Sequence, residues 1–177
     1  MKKIKRIGIL TVLFCFLITT VALAEEWNWE TAVGHHNQSV LLDEEAISAS
    51  DVIYRNARGD YLAEGSVQIA NMQDGRIRIN VTTLAHRNVD KIMHTVFLDI
   101  WEADYNDWST LDYWEFEQTK EETENGELYM LDTYFYLSGY ETNRYYRVRG
   151  LHGVEYNDEL EACATETNGV LITDGPT

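Results

Sequence analysis

Tyr61-Leu-Ala-Glu-Gly-Ser-Val-Gln-Ile-Ala-Asn-Met72, then Gln73-Asp74-Gly75, then Arg76-Ile-Arg-Ile-Asn-Val-Thr-Thr-Leu84 is the stretch that decides the fold class. In its second half Ile77, Ile79 and Val81 alternate with Arg76, Arg78 and Asn80, a period of two that puts apolar and polar side chains on opposite faces of a strand. Asp-Gly between two such runs supplies the left-handed backbone that a tight hairpin needs. The same reading extends in both directions. Val52 to Arg55 is a short strand, closed by Asn56 to Asp60. Downstream, Lys91 to Trp101 carries Ile92, Val96, Leu98 and Ile100 on one face, and Ala103 to Asp107 turns into Trp108 to Gln118. An acidic loop, Glu121 to Gly126, leads to Leu128 to Leu137, and Gly139 to Asn143 leads to Arg144 to Tyr156. Asn157-Asp158 turns into Glu159 to Thr165, and Asn168-Gly169 turns into Val170 to Thr173.

After Ser50 no segment carries a long helical period, which excludes alternating strand–helix folds. The expectation is an all-β domain over residues 51–177: an antiparallel two-sheet sandwich of about eight strands, with a barrel as the second choice. Residues 25–50 read as an N-terminal arm, in which Val40 to Ile47 suits either two helical turns or extended chain. Along Trp108 to Gln118, Trp108, Trp114 and Phe116 share one parity and Leu111 and Tyr113 the other. Leu128 to Leu137 behaves likewise, with Tyr134 and Tyr136 opposing Phe135 and Leu137. Rings on both faces suit strands in the middle of a sheet.

The first 24 residues have a different character. Lys2, Lys3, Lys5 and Arg6 precede the apolar run Ile7 to Val21, and Ala22-Leu-Ala24 closes it with small residues where a signal peptidase cuts. This is the pattern of a helical secretory signal peptide cleaved after Ala24, giving a secreted, extracellular protein whose mature form is not embedded in a membrane. The 177 residues contain 14 Lys and Arg against 30 Asp and Glu; losing the four basic residues of the leader leaves ten and a net charge of −20 over 153 residues. Such a charge opposes binding to nucleic acid and to acidic surfaces. With Cys15 in the leader, Cys163 is the one cysteine of the mature chain, so no internal disulfide forms.

Several groups have residue types that could do chemistry. If Asn157-Asp158 is a two-residue turn, Tyr156 faces Glu159, Val154 faces Glu161 and His152 faces Cys163 across the ladder. A Cys–His pair can act as nucleophile and base, though a packed, inert cysteine accounts for the same residues. Asp99, Glu102, Asp104 and Asp107 crowd one turn with oxygen ligands of the kind Ca²⁺ takes, without the spacing of a helix–loop–helix calcium site; no other cofactor is implied. His35-His36 stands alone. Glu115 and Glu117 share a strand face and resemble a glycosidase pair in kind. Arg144, Arg147 and Arg149, the one basic cluster after the leader, are expected to neutralise carboxylates of a neighbouring strand. All five Trp and all 11 Tyr follow residue 24. Exposed rings, of which Trp27, Trp29, Trp101 and Trp108 are the candidates, would stack on pyranose faces; core packing explains rings equally. Neither a Gly-x-Ser-x-Gly elbow nor a phosphate loop nor a His-Glu-x-x-His motif is present.

The run from Tyr145-Tyr-Arg-Val-Arg-Gly-Leu-His-Gly-Val-Glu to Thr-Asn-Gly-Val-Leu-Ile172 resembles a pattern in small secreted proteins of Clostridium-type Firmicutes, as does the layout of a leader followed by one acidic β domain. Those proteins are uncharacterised, so the resemblance implies a β-sandwich secreted by a Gram-positive cell and no catalytic residue. The expected function is non-enzymatic binding or surface interaction with a protein or a glycan. The alternatives are a carbohydrate-binding module using exposed aromatics and a small hydrolase using His152 and Cys163 or a carboxylate pair.

Overall fold

The computed structural model describes residues 27–56 and 61–175. The expected leader, and most of the turn expected at Asn56 to Asp60, lie outside the described residues. Ten strands follow one another: β1 (Val33–Gly34), β2 (Ser48–Tyr54), β3 (Leu62–Asn71), β4 (Ile77–Ala85), β5 (Lys91–Glu102), β6 (Asp107–Thr119), β7 (Met130–Leu137), β8 (Arg144–Tyr156), β9 (Glu159–Glu166) and β10 (Val170–Ile172). Among the described residues the helical content is one 3₁₀ turn, Lys120–Glu122, after β6. Val40 to Ile47 is extended and turning chain rather than helix, with Leu41 bridged to Gly169.

The strands form two sheets. One has the order β1-β9-β8-β5-β6, with β10 also on β8; the other has the order β2-β3-β4-β7. All pairings between these strands are antiparallel except β1 with β9. The sheets stack as a sandwich and do not close into a barrel. β9 and β10 share one lane along β8: Glu166 pairs with Arg149 and Val170 with Tyr146. The chain slips one position at Thr167–Gly169, where the Thr167 hydroxyl takes the Val148 N–H in place of a backbone carbonyl.

The alternation read from the sequence becomes the core. Val67, Ile69, Ile77, Ile79 and Val81 of the smaller sheet meet Val96, Leu98, Ile100, Tyr146 and Val148 of the larger one, all essentially inaccessible to water. Burying an aliphatic side chain of this size stabilises by about 1.5–3 kcal/mol, so this layer carries the fold while Cys163 stays a free thiol. The terminal hairpin turns as expected: Asn157 and Asp158 both have left-handed φ, 51° and 64°, the geometry of a two-residue turn matched to strand twist. His152 faces Cys163 in the resulting register.

Two readings of the ring-bearing strands change. β6 and β7 are each the outer strand of their sheet, not central strands. β6 carries rings on both faces because the N-terminal segment lies toward its outer side and the second sheet on its inner side, whereas the outward rings of β7, Tyr134 and Tyr136, are exposed. Parity also fails along β6. Leu98 pairs with Asp112 but Asp99 pairs with Thr110, so Leu111 is an extra residue and the strand changes face there. Trp114 and Phe116 point into the core, whereas Trp108 joins Trp101 on the outer face.

Candidate functional site: an aromatic groove on the outer face of the larger sheet

The outer face of the larger sheet is built from odd-numbered positions of β5 and β8, which fall on one side because strand side chains alternate. Arg147, Arg149, Leu151 and Gly153 come from β8, and Thr95, Phe97 and Asp99 from β5. Tyr113, Glu115 and Glu117 of β6 lie opposite Phe97, Thr95 and Met93. The chain before β1 then crosses this face. Ala32 is buried against Leu151, Ala162 and Ala164, with Trp27, Trp29 and Phe97 packed around them. Gly153 is what lets Trp27 sit down: a β-carbon there would lie 2.1 Å from the indole.

The arm is held by a network of charges. Asp99, 1% exposed, accepts Arg149 Nε at 2.7 Å and Nη2 at 3.1 Å, Arg147 Nε at 2.9 Å and the Thr110 hydroxyl at 2.8 Å. Arg147 reaches on to Glu166 at 3.1 Å, and Glu166 accepts the backbone N–H groups of Asn37, Gln38 and Ser39. The Glu166 N–H in turn donates to Asp51, which also holds His35 at 2.8 Å. Each guanidinium is stacked as well: Arg147 lies 4.7 Å from the Trp108 ring, and Arg149 lies 4.7 Å from Trp29 and 4.8 Å from Phe97. The basic cluster therefore neutralises a neighbouring strand, as its composition suggests; Arg144 does the same with Glu102 and Glu141.

What this leaves open is a groove of about 400 Å³ between the arm and β6. Trp27, Trp29, Phe97 and Tyr113 form its walls, and Thr95, Thr110, Glu30 and Glu115 supply polar atoms. Tyr113 is 59% exposed, and its ring lies 6.2 Å from Phe97. Beyond Trp27 a second hollow of about 490 Å³ continues along Met93, Glu115, Phe116 and Glu117. Together these are of the size and mixed character that take a small ligand.

The residues expected at sites are distributed as follows. Trp27 and Trp29 are in the groove. Trp101 and Trp108 lie further along the same face, edge to face at 5.3 Å, with Trp108 seated over Gly169 and capped by Arg147. The proposed calcium ligands are divided: Asp99 is committed to the two arginines, Glu102 pairs with Arg144, and Asp104 and Asp107 stand exposed at the turn. Among the described residues no three His, Cys, Asp or Glu converge on one point. His35 is taken by Asp51, and His36 donates its Nε2–H to the Ala32 carbonyl and packs edge-on against Trp29 at 4.8 Å.

His152 and Cys163 lie between the sheets, both fully buried. His152 bonds Thr83 at 2.9 Å through Nδ1 and Thr165 at 2.8 Å through Nε2; His94 bonds Thr83 at 3.3 Å and Thr133 at 3.0 Å. Gly65 and Gly150 make room for the His152 ring from either side, each with a β-carbon position 2.6–2.7 Å from it. Burial pushes the Cys163 thiol up to about 12 and holds the imidazoles of His94 and His152 down at about 4 and about 3. At neutral pH the pair is thus a thiol beside a neutral ring, each closed off from solvent.

Phe97 and Tyr113 belong to the groove but were not anticipated. Their signal was present, since they are directly opposite on β5 and β6, but the extra residue at Leu111 hides that pairing from a parity count. Among the described residues no helix is long and apolar enough to cross a membrane. None of the curated proteins and none of the solved structures compared with the chain matches it. The model of a family of unknown function, DUF6147, matches residues 24–170, taking in the arm and nearly all of the sandwich; the chain belongs to that family.

Proposed function

We propose that the protein is exported through its first 24 residues and acts outside the cytoplasm as a non-catalytic binding module that holds a short stretch of glycan in the groove. One observation supports this reading above the rest: four rings from three separate segments, Trp27 and Trp29 of the arm, Phe97 of β5 and Tyr113 of β6, surround one open hollow on the outside of the sandwich. Pyranose rings present flat C–H faces that pack on aromatic planes, and their hydroxyls seek fixed acceptors and donors. Glu30 and Glu115 stand exposed among the rings with carboxylates that can accept from them. The charge network behind Asp99 makes the site rigid before any ligand arrives, which lowers the entropic cost of binding.

The test is titration of the purified protein with a panel of soluble oligosaccharides, followed by tryptophan fluorescence and calorimetry. Saturable binding to at least one member is expected, weakened about tenfold by Trp27→Ala or Tyr113→Ala, the loss of one stacked ring. Trp101→Ala, outside the groove, should bind as the parent does. Absence of binding across the panel, or binding indifferent to both groove substitutions, would overturn the reading. Release of reducing ends during the titration would move it to a glycosidase using Glu115 and Glu117.

A further inference from the structure

We infer that the groove selects a positively charged sugar, a hexosamine with a free ammonium group, over neutral and acidic ones; this rests on the glycan reading and specifies its ligand. Arg149 is the one basic residue lining the groove among the described residues, and its charge is already paired with the buried Asp99 carboxylate. Its Nε and Nη2 are given to Asp99 and Thr110, and the Trp29 and Phe97 rings lie 4.7 and 4.8 Å from its guanidinium carbon. The carboxylates are in the opposite condition. Glu115 lines both hollows, Glu30 the first and Glu117 the second. All three are exposed, and their side chains have no ion pair or hydrogen bond among the described residues.

Lysines and arginines elsewhere sit on carboxylates: Arg76 on Asp74, Lys120 on Asp90, Lys91 on Glu155, Arg144 on Glu102 and Glu141. Opposite Glu115 and Glu117 across the ladder stand Thr95 and Met93, which cannot neutralise them. An ammonium group lowered between Trp27 and Tyr113 would meet the electron-rich faces of the rings and an unpaired carboxylate at once, two attractions that reinforce each other where water is partly excluded. A uronic acid in the same position would meet only repulsion. The juxtaposition of ring walls with unpaired Glu115, rather than net charge, is what makes the selection local.

The discriminating experiment titrates the purified protein with four trimers of matched length: glucosamine, N-acetylglucosamine, glucose and a uronic acid. Glucosamine should bind at least tenfold more tightly than its acetylated counterpart, and the uronic acid should not bind. Glu115→Gln should weaken glucosamine binding about tenfold and narrow the gap to the neutral sugars. Glu121→Gln with Glu124→Gln, which removes the same kind of charge from the loop after β6, should leave it unchanged. Equal or tighter binding of a neutral trimer that still requires Trp27 would overturn this inference and keep the glycan reading. Glucosamine binding that falls equally in both sets of variants is diffuse attraction and also overturns it. No binding of any trimer would overturn both.

Discussion

Acidification from pH 7 to pH 5 should destabilise this protein through two buried histidines, His94 and His152. His94 and His152 are buried between the sheets, with hydrogen bonds only to threonine hydroxyls; His94 also feels the Asp132 carboxylate, and His152 feels His94. Desolvation is the leading cause that lowers them to about 4 and about 3. In the unfolded chain both return to about 6.5. The folded state therefore binds fewer protons than the unfolded state. The stability is complete above about pH 6.5 and is lost as the pH falls toward the folded values. Between pH 7 and pH 5 the unfolded imidazoles go from mostly neutral to almost wholly protonated while the folded ones stay neutral. The loss is about 2 kcal/mol for each ring and about 4 kcal/mol for the pair. Ordinary carboxylates titrate near pH 4 and contribute little in this window. Urea unfolding of the parent and of His94→Gln at pH 7 and pH 5 measures the effect, the amide keeping a bond to Thr83 or Thr133. The variant should lose about 2 kcal/mol less than the parent across the interval. Should it prove too unstable to compare, the imidazole resonances of the parent give the same answer: both should remain those of neutral rings at pH 5. Equal losses in parent and variant, or a His94 or His152 resonance with its titration midpoint between pH 7 and pH 5, would refute the reasoning.

Other expectations follow from the same geometry. Asp99→Ala leaves two largely buried guanidiniums facing each other without their shared carboxylate. It should cost about 3–5 kcal/mol in urea unfolding and change the near-ultraviolet dichroism of Trp29 and Trp108, which stack on those groups. A parent-like unfolding curve would mean that Arg147 and Arg149 find other partners at no cost. Cys163, pushed up to about 12 by burial, should resist a thiol reagent at pH 8 in the native protein and react at once in denaturant. Rapid labelling of the native form would show that the space between the sheets opens to solvent.

The strands were legible in the residues because their cause is local. Ile77, Ile79 and Val81 alternate with polar neighbours, and a side-chain period of two is a property of extended backbone itself. Gln73-Asp-Gly75 and Asn157-Asp158 announce their turns because left-handed φ is tolerated by few residue types, so even the His152–Cys163 register could be computed from the chain. The fates of these two residues could not. Whether His152 faces water or the second sheet depends on Gly65 of β3, a residue 87 positions away, and that contact sets the chemistry of the pair.

The groove marks the boundary between the two kinds of information. The chain alone determined that Glu115 and Glu117 share a strand face, and that acidic residues outnumber basic ones 30 to 14, which leaves few cations to spend. Only the tertiary structure decided which carboxylates would be paired. Asp99 is consumed by Arg147 and Arg149 and drops out as a ligand, while Glu115 is left facing Thr95. It also decided that one extra residue at Leu111 would turn Trp108 away from Trp114 and set Tyr113 beside Phe97. The physical reason is range: backbone preferences act over a few residues, whereas charge pairing and ring packing depend on where sheets and arm come to rest.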